Sequence, residues 1–532
     1  MSLNNATLRQ IKAAEPKSST WLAANAGSGK TKVLTDRVAR LLLEGVMPQN
    51  ILCLTYTRAA ASEMQNRLFG RLGKWTMLRD EDLLQELEEL GVKRALGIKD
   101  LDNARTLFAR AIEAPGGLKI QTIHSFCSSV LRRFPLEAGV NPQFVEIDER
   151  AQKLLLDEVV ETIADGTGPS SFDGIAHYFT GKDVQDVFKA ILDLPDLFSK
   201  PYSLDEIWKG FNLQPGYTED DLSEECFIPG DLSLIQKLRD HLLTKAGNDL
   251  NAGVKLSGLK DGALTVFDLP LLESVFLTKS GAAPFTPKST FPTKVTKAEF
   301  LFMPQLEALM LRVSISRQKR LTLQFAKRTA ALHTFATEFL QVYSDHKQAK
   351  GFLDFNDLIS RTRNLLSNEN VAAWVLFRLD GGIDHILVDE AQDTSPMQWD
   401  VIKQLAQEFT SGQGARADVP RTIFVVGDKK QSIYSFQGAD PEGFDRMRDR
   451  FEAQLHEIAQ PFQSTTLDHS FRSSHAILSL VDQIFSDQKK ISSKSTHLAF
   501  KETLPGRVDV WPVFEKPLVT ESRHWTDPVD EV

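Results

Sequence analysis

Apolar residues in this chain follow two patterns, short unbroken runs and long stretches at helical spacing. Four short runs, at residues 20–24, 51–55, 386–389 and 423–427, end in small or acidic residues. Runs of this length, followed by helical patterns, predict buried parallel strands of an α/β domain. After the first run, Leu34, Val38, Leu41 and Leu42 share one helical face over residues 31–43, and Gly45 stops the helix. After the second, Ala60, Met64 and Leu68 recur four apart over residues 59–72.

From about residue 72 to about 382 the pattern is mainly helical. Its longest helix is predicted over residues 319–350, where Leu321, Phe325, Leu332, Phe335, Phe339 and Tyr343 form one apolar stripe. Polar breaks rich in Gly, Pro, Ser and Thr at 166–171, 253–262 and 278–296 divide this stretch. It reads as an inserted helical domain with flexible connections, splitting a core sheet in two. The tail from Lys489 turns polar, which reads as a cut or an early stop rather than a packed terminus.

With 532 residues, 42% hydrophobic and 25% charged, the chain should divide into two to four domains, because single cores stop growing near ~250–300 residues. The 62 basic and 71 acidic residues give a net charge of -9, which excludes a general coat of positive charge but not a local basic groove. Cys53, Cys127 and Cys226 lie far apart without zinc-type spacing, which predicts a reduced, cytoplasmic protein with no structural metal. No apolar stretch reaches the ~18 residues of a membrane span, and the N-terminus lacks the apolar core of a signal peptide. Membrane and secretory roles are set aside.

The segment Ala24, Asn25, Ala26, Gly27, Ser28, Gly29, Lys30, Thr31 matches the phosphate-binding loop pattern, with Ala24 at the first glycine position. Gly27 and Gly29 free the backbone so that N–H groups point at phosphate oxygens, Lys30 reaches the β- and γ-phosphates, and the Thr31 hydroxyl binds Mg²⁺. Placement between a strand and a helix argues against a chance Gly-rich turn. In the run Ile386 to Asp393, an acidic pair ends an apolar strand: Asp389 can hold Mg²⁺ while Glu390 polarises the attacking water, although such a pair can also be a solvated helix cap. Beyond the fourth run, Gln431 can sense the γ-phosphate, and Tyr434 and Phe436 either stack on bases or pack in a core.

These two runs, together with the segments Thr55–Met64, Thr122–Phe126 and Leu353–Leu358, occur in the order found in UvrD/Rep-type superfamily 1 helicases, which the chain resembles. Within that family it is most similar to AddA-type helicase-nuclease subunits, with RecB-type subunits close by. The resemblance implies a RecA-like parallel sheet flanked by helices, ATP and Mg²⁺ as cofactors, single-stranded and duplex DNA as substrates, and an AddB-like nuclease-helicase partner. It lays out residues 1–75 as the first part of the ATP-binding domain, 76–115 as a helical insertion, and 116–150 as its continuation. Residues 151–350 become an inserted helical domain, 351–465 the remainder of the first domain, and 466–532 the start of a truncated second RecA-like domain.

The resemblance also gives Gln10 the adenine edge, Phe471 a stacking face on adenine, and Arg472 a contact to the γ-phosphate. Thr55, Thr57, Arg58, Thr122, His124, Ser125, Phe126, Tyr434 and Phe436 would line the single-strand groove. Gln437 stands where the family often has Arg, which shifts nucleotide sensing toward Gln431 and Arg472. No later segment resembles the family's motifs V and VI or a nuclease, and one of these motifs carries an arginine finger worth ~10³–10⁵ in turnover. By itself, this chain is therefore expected to bind nucleotide, hydrolyse it feebly and not unwind DNA. Two other classes stay open: a non-catalytic scaffold, which would not need Lys30, Thr31, Asp389, Glu390 and Gln431 all intact, and a P-loop ATPase acting on something other than nucleic acid.

Overall fold

The computed structural model describes residues 4–92, 96–114, 117–166, 171–176, 178, 183–198, 200, 202–259, 262–368, 371–380, 382–410, 419–434, 438–485 and 497–515. The chain forms two compact units, one from residues 1–146 and 353–532, the other from Ile147–Phe352.

The first unit is built on a six-stranded parallel sheet. Its strands are β1 (Ser19–Ala24), β2 (Ile51–Thr55), β3 (Lys119–Thr122), β4 (His385–Val388), β5 (Thr422–Gly427) and β6 (Phe462–Leu467), in the spatial order β3-β2-β4-β5-β1-β6. The four expected strands fall within one residue of their expected limits, while β3 and β6 were not foreseen. Strand β6 pairs with β1 from Ser19↔Phe462 to Ala24↔Leu467, so it runs across the boundary expected at residue 466 and keeps Thr466 and Leu467 in the first sheet.

Alternation along a strand sends neighbouring side chains to opposite faces, and both faces are covered. Trp21, Leu52, Leu54, Ile386, Val388, Ile423 and Val425 enter one core. Leu22, Ile51, Cys53, Leu387, Phe424 and Val426 enter the other. Each such side chain contributes roughly 1.5–3 kcal/mol of burial free energy, which is why these strands read as continuous apolar runs. Helices α1 (Asn5–Ala13), α2 (Lys30–Leu43), α3 (Arg58–Met77), α4 (Asp80–Glu89), α5 (Ile98–Glu113) and α6 (Ile123–Arg133) follow in chain order. Arg37, fully buried on α2, donates to Glu15 O, Ser18 O and Thr422 Oγ1, and Arg40 donates to Ile11 O. These two arginines fasten α1, and with it Gln10, to the helix that follows the glycine loop.

The second unit is helical. Its longest helix is Met303–Lys350, 48 residues and about 72 Å long at 1.5 Å per residue, and it begins well before the expected residue 319. The single stripe expected along it is replaced by three successive ones. Leu306, Leu309, Met310 and Val313 serve one cluster, Leu323, Ala326 and Ala330 a second, and Phe335, Ala336, Phe339 and Tyr343 a third. Phe325, expected in the stripe, is 55% exposed because the contacting face rotates as the helix changes partners. Gly253, expected in a break, lies inside the helix Gly247–Leu256, where a Cβ would come within 3.1 Å of Leu242 Cβ. It permits a close helix approach rather than ending a helix. Among the described residues no helix is long and apolar enough to cross a membrane, and the three cysteines are buried and unpaired.

Candidate functional site

Because every sheet pair is parallel, the loops after all six strands emerge at one edge, where α/β sheets take their ligands. The loop after β1 runs from Asn25 to Gly29, between the buried end residue Ala24 and the first turn of α2. Gly27 and Gly29 have φ of +74° and +87°, left-handed values that favour glycine. Space is short as well: a Cβ on Gly27 would lie 2.7 Å from Ser470 Oγ, and one on Gly29 2.7 Å from Gln10 Nε2. Helix α2 starts on Gly29 with no side-chain cap, so its first amides point into the loop as an anion site. Asn25 Nδ2 and Ser28 Oγ are buried polar atoms without a protein partner, while Ala26 is exposed and Thr31 half-buried at the start of α2.

The acidic strand end comes to the same place. Lys30 Nζ donates to Glu390 Oε2 at 2.7 Å across 360 positions of sequence. Asp389 follows β4 directly and is 7% exposed; burial first, and the neighbouring Glu390 charge second, push its carboxyl up to about 7. Glu390 has φ of +48°, a left-handed conformation that costs a non-glycine residue on the order of 1 kcal/mol and tends to collect at functional sites. A buried carboxylate held out of its ordinary range fits a cation partner. The Thr31 hydroxyl and Asp389 carboxylate are hard oxygen donors of the kind Mg²⁺ takes, and no group of three or more His, Cys, Asp or Glu able to hold a metal occurs among the described residues.

At the far side of the glycine loop is a pocket lined by Ala6, Arg9, Gln10, Ser28, Leu467, Asp468, His469 and Phe471. Gln10 is buried there, donating to Ser28 O at 2.8 Å and accepting from Lys32 Nζ at 3.3 Å. The Phe471 ring packs against Phe500 with centroids 4.3 Å apart, and its N–H donates to Gly27 O at 2.8 Å. Arg472 is exposed beside the glycine loop. Arg9 and Asp468 form a 2.7 Å ion pair at the pocket.

Beyond β5, Gln431 Nε2 donates to Asp428 Oδ2 at 2.6 Å, and Lys430 Nζ reaches the glycine loop at Asn25 Oδ1, 3.2 Å away. The expected DNA-facing residues divide into three groups. Thr57 and Arg58 are exposed, and His124, Ser125 and Tyr434 are half-buried. Thr55 and Thr122 are buried, with Thr55 Oγ1 donating to Thr57 O and Thr122 Oγ1 capping α6. His124 packs on Phe355, and burial lowers its pKa. Phe126 needs correction: at 4% exposure it belongs to the core with Cys127, Val130 and Leu131, because it lies on the apolar face of α6. Phe436 and Gln437 lie outside the described residues.

Sequence reasoning gave no role to Lys32, Lys430, Gln392, Arg9, Asp468 or Tyr56. The Tyr56 and Tyr434 rings pack with centroids 4.5 Å apart at a tilt of 38°, joining the loop after β2 to the loop after β5. An aromatic next to the Thr57 cap was the one local signal of this pair; the others are long-range polar partners.

Residues 3–452 match the family model described as UvrD/REP helicase N-terminal domain. Among curated proteins, the chain is 26% identical over 504 residues to an ATP-dependent helicase/nuclease subunit of Latilactobacillus sakei, covering 87% of this chain and 53% of that protein. It is 27% identical over 512 residues to the protein of the same name from Syntrophomonas wolfei, covering 90% of this chain and 38% of that one. The counterpart from Bacillus pumilus is 25% identical over 529 residues, with coverage of 88% and 40%. The chain thus spans between 38% and 53% of the length of these relatives. Since the family model runs through the glycine loop, the acidic strand end and the Gln431 segment alike, the chain belongs to the UvrD/REP helicase family.

Proposed function

We propose that this chain is the ATP-binding portion of a DNA helicase motor that works in double-strand break repair and recombination. The observation that carries the reading is the convergence of Lys30 and Glu390 at 2.7 Å at the same sheet edge as the Tyr56 and Tyr434 rings. ATP would lie with its base in the pocket of Gln10 and Phe471 and its phosphates on the amides of residues 25–31. Lys30 then exchanges Glu390 for the β- and γ-phosphates, and Glu390 is left to orient the attacking water. Mg²⁺, held by Thr31 and Asp389, would neutralise charge on the phosphate oxygens. Gln431 reads the γ-phosphate, and Arg472 brings a planar fork to its oxygens. Thr57, Arg58, His124, Ser125 and Tyr434 supply phosphate contacts and stacking faces to single-stranded DNA.

By family resemblance the motor steps 3′ to 5′, the chain beyond β6, from Asp468 on, opens a second RecA-like domain, and the inserted helices form a separate domain of the motor. The relatives are named as subunits of a helicase/nuclease, and the corresponding partner here is an AddB-like chain. The test uses the full-length protein: Mg-ATP hydrolysis with and without single-stranded DNA, the same after Lys30→Ala, and strand unwinding. DNA should stimulate hydrolysis and the substitution should abolish it. Hydrolysis indifferent to DNA would overturn the reading in favour of a P-loop ATPase with another partner.

A further inference from the structure

We infer that Gln392 is a positioning residue that makes Glu390 and the segment 428–434 move as one unit. It follows Glu390 by two residues, in the 3-10 turn Ala391–Asp393, and is 1% exposed. Its amide bridges two strand ends. The carbonyl Oε1 accepts from the Asp428 N–H at 2.8 Å, while Nε2 donates to Glu390 Oε2 at 2.9 Å and to Asp393 Oδ2 at 3.0 Å. The partners fix the orientation of the amide: a backbone N–H can only donate and ionised carboxylates can only accept, so the flipped amide would oppose all three.

The strand end is shaped for this side chain. A Cβ on Gly427 would sit 2.8 Å from Gln392 Oε1, so only glycine lets the amide reach the Asp428 N–H. Asp428 passes the connection on, accepting from Lys430 N at 3.1 Å and from Gln431 Nε2 at 2.6 Å. Ser432 Oγ also donates to the Gln392 backbone carbonyl at 3.4 Å. Two residues further, Tyr434 lies against Tyr56. Lys30 and Gln392 share one oxygen of Glu390, at 2.7 and 2.9 Å. When Lys30 turns to a phosphate, Gln392 keeps its hold on that carboxylate, and any swing of Glu390 pulls on the backbone at Asp428. Gln392 is thus placed to align Glu390 with water and to relay the state of the ATP site toward the tyrosine pair.

This inference rests on the proposed function. The test compares native full-length protein with Gln392→Glu and Gln392→Leu, measuring nucleotide affinity, and kcat and KM for ATP with and without single-stranded DNA, between about pH 6 and 8. Gln392→Leu keeps the volume and loses the bonds. Gln392→Glu sets a third carboxylate against Glu390 and Asp393, but once protonated its C=O and O–H reproduce the accepting and donating sides of the amide. Both should leave nucleotide affinity within about threefold of native, lower kcat by roughly tenfold or more, and bring the stimulation by DNA close to one. The kcat of Gln392→Glu relative to native should climb severalfold as the pH falls from about 8 to 6, and that of Gln392→Leu should not. The low-pH recovery decides even if a replacement weakens folding, since a misfolded protein regains nothing. Its absence, or native kcat and DNA stimulation in both variants, overturns the inference. Absence of DNA-stimulated hydrolysis in the native protein would instead overturn the proposed function.

Discussion

Glu390→Gln should tighten nucleotide binding while it stops turnover. Glu390 pairs with Lys30 at 2.7 Å, with the lysine side chain 11% and the carboxylate 33% exposed. Two unit charges about 3 Å apart attract by roughly 6 kcal/mol at an effective dielectric of ~20. With a third of the carboxylate in solvent, screening and desolvation reduce the net value to about 1 kcal/mol. An incoming triphosphate must displace this contact, so removing the charge should lower Kd about fivefold. Loss of repulsion between Glu390 and the γ-phosphate acts in the same direction. The new amide fits the +48° backbone about as well as glutamate, and its carbonyl still accepts from Gln392, so the fold is unaffected. Turnover should fall by ~10²–10⁴, the usual worth of a general base. Titration with a fluorescent ATP analogue and a phosphate-release assay read the two quantities separately. Weaker or unchanged binding would refute the idea that Lys30 is held in reserve by Glu390, and retained turnover would remove Glu390 from the chemistry.

Other consequences follow from the same packing. Burial, and secondarily the charge of Arg37, depress the His385 imidazole to about 3, while Nδ1 lies 2.8 Å from Thr422 Oγ1. The unfolded chain takes up this proton first, so the associated stability is complete above about pH 6.5 and is lost as pH falls toward 3, with a slope of up to ~1.4 kcal/mol per pH unit. Urea midpoints at about pH 7.5 and 5 should therefore diverge less for His385→Asn than for native protein, and equal divergence would exclude His385 as the source. Gly427→Ala would place a methyl group 2.8 Å from both Gln392 Oε1 and Phe444 Cε2, so overpacking should cost ~1–3 kcal/mol; an unchanged thermal midpoint would contradict this. Tyr434→Ala removes the ring packed against Tyr56 and should weaken single-stranded DNA binding by ~1–3 kcal/mol in an anisotropy titration without altering nucleotide affinity. Full DNA affinity in that variant would remove Tyr434 from the groove.

What the sequence disclosed depended on how each segment is buried. The four foreseen strands are all interior to the sheet and covered on both faces, so their residues are apolar throughout. Strands β3 and β6 lie at its edges, where Gln121, Gln463, Ser464 and Thr465 have one side turned from the core, and no apolar run marks them. The glycine loop was legible because it needs left-handed backbone and an approach that a Cβ would block. Phe126 misled because a family motif and an amphipathic helix coincide there, and burial decided the outcome. Lys430–Asn25, Gln392–Asp428 and Arg9–Asp468 join residues 405, 36 and 459 positions apart, and polar residues without periodicity announce no partner.

The strand order bears directly on how ATP and DNA sites would communicate. Lys30 follows β1 and Glu390 follows β4, but these strands are not neighbours, because β5 lies between them. The loop leaving β5 must therefore pass between the glycine loop and the acidic strand end, and it is bound on both flanks: Lys430 to Asn25 on one side, Asp428 to Gln392 on the other. Any change that spreads or closes the gap between Lys30 and Glu390 has to strain or relax those two contacts. A few residues past them is Tyr434, packed on the ring that follows β2. In this topology, a route from the phosphates toward the candidate DNA groove needs no long lever. It follows from threading the loop after β5 between two strands whose ends would share a single nucleotide.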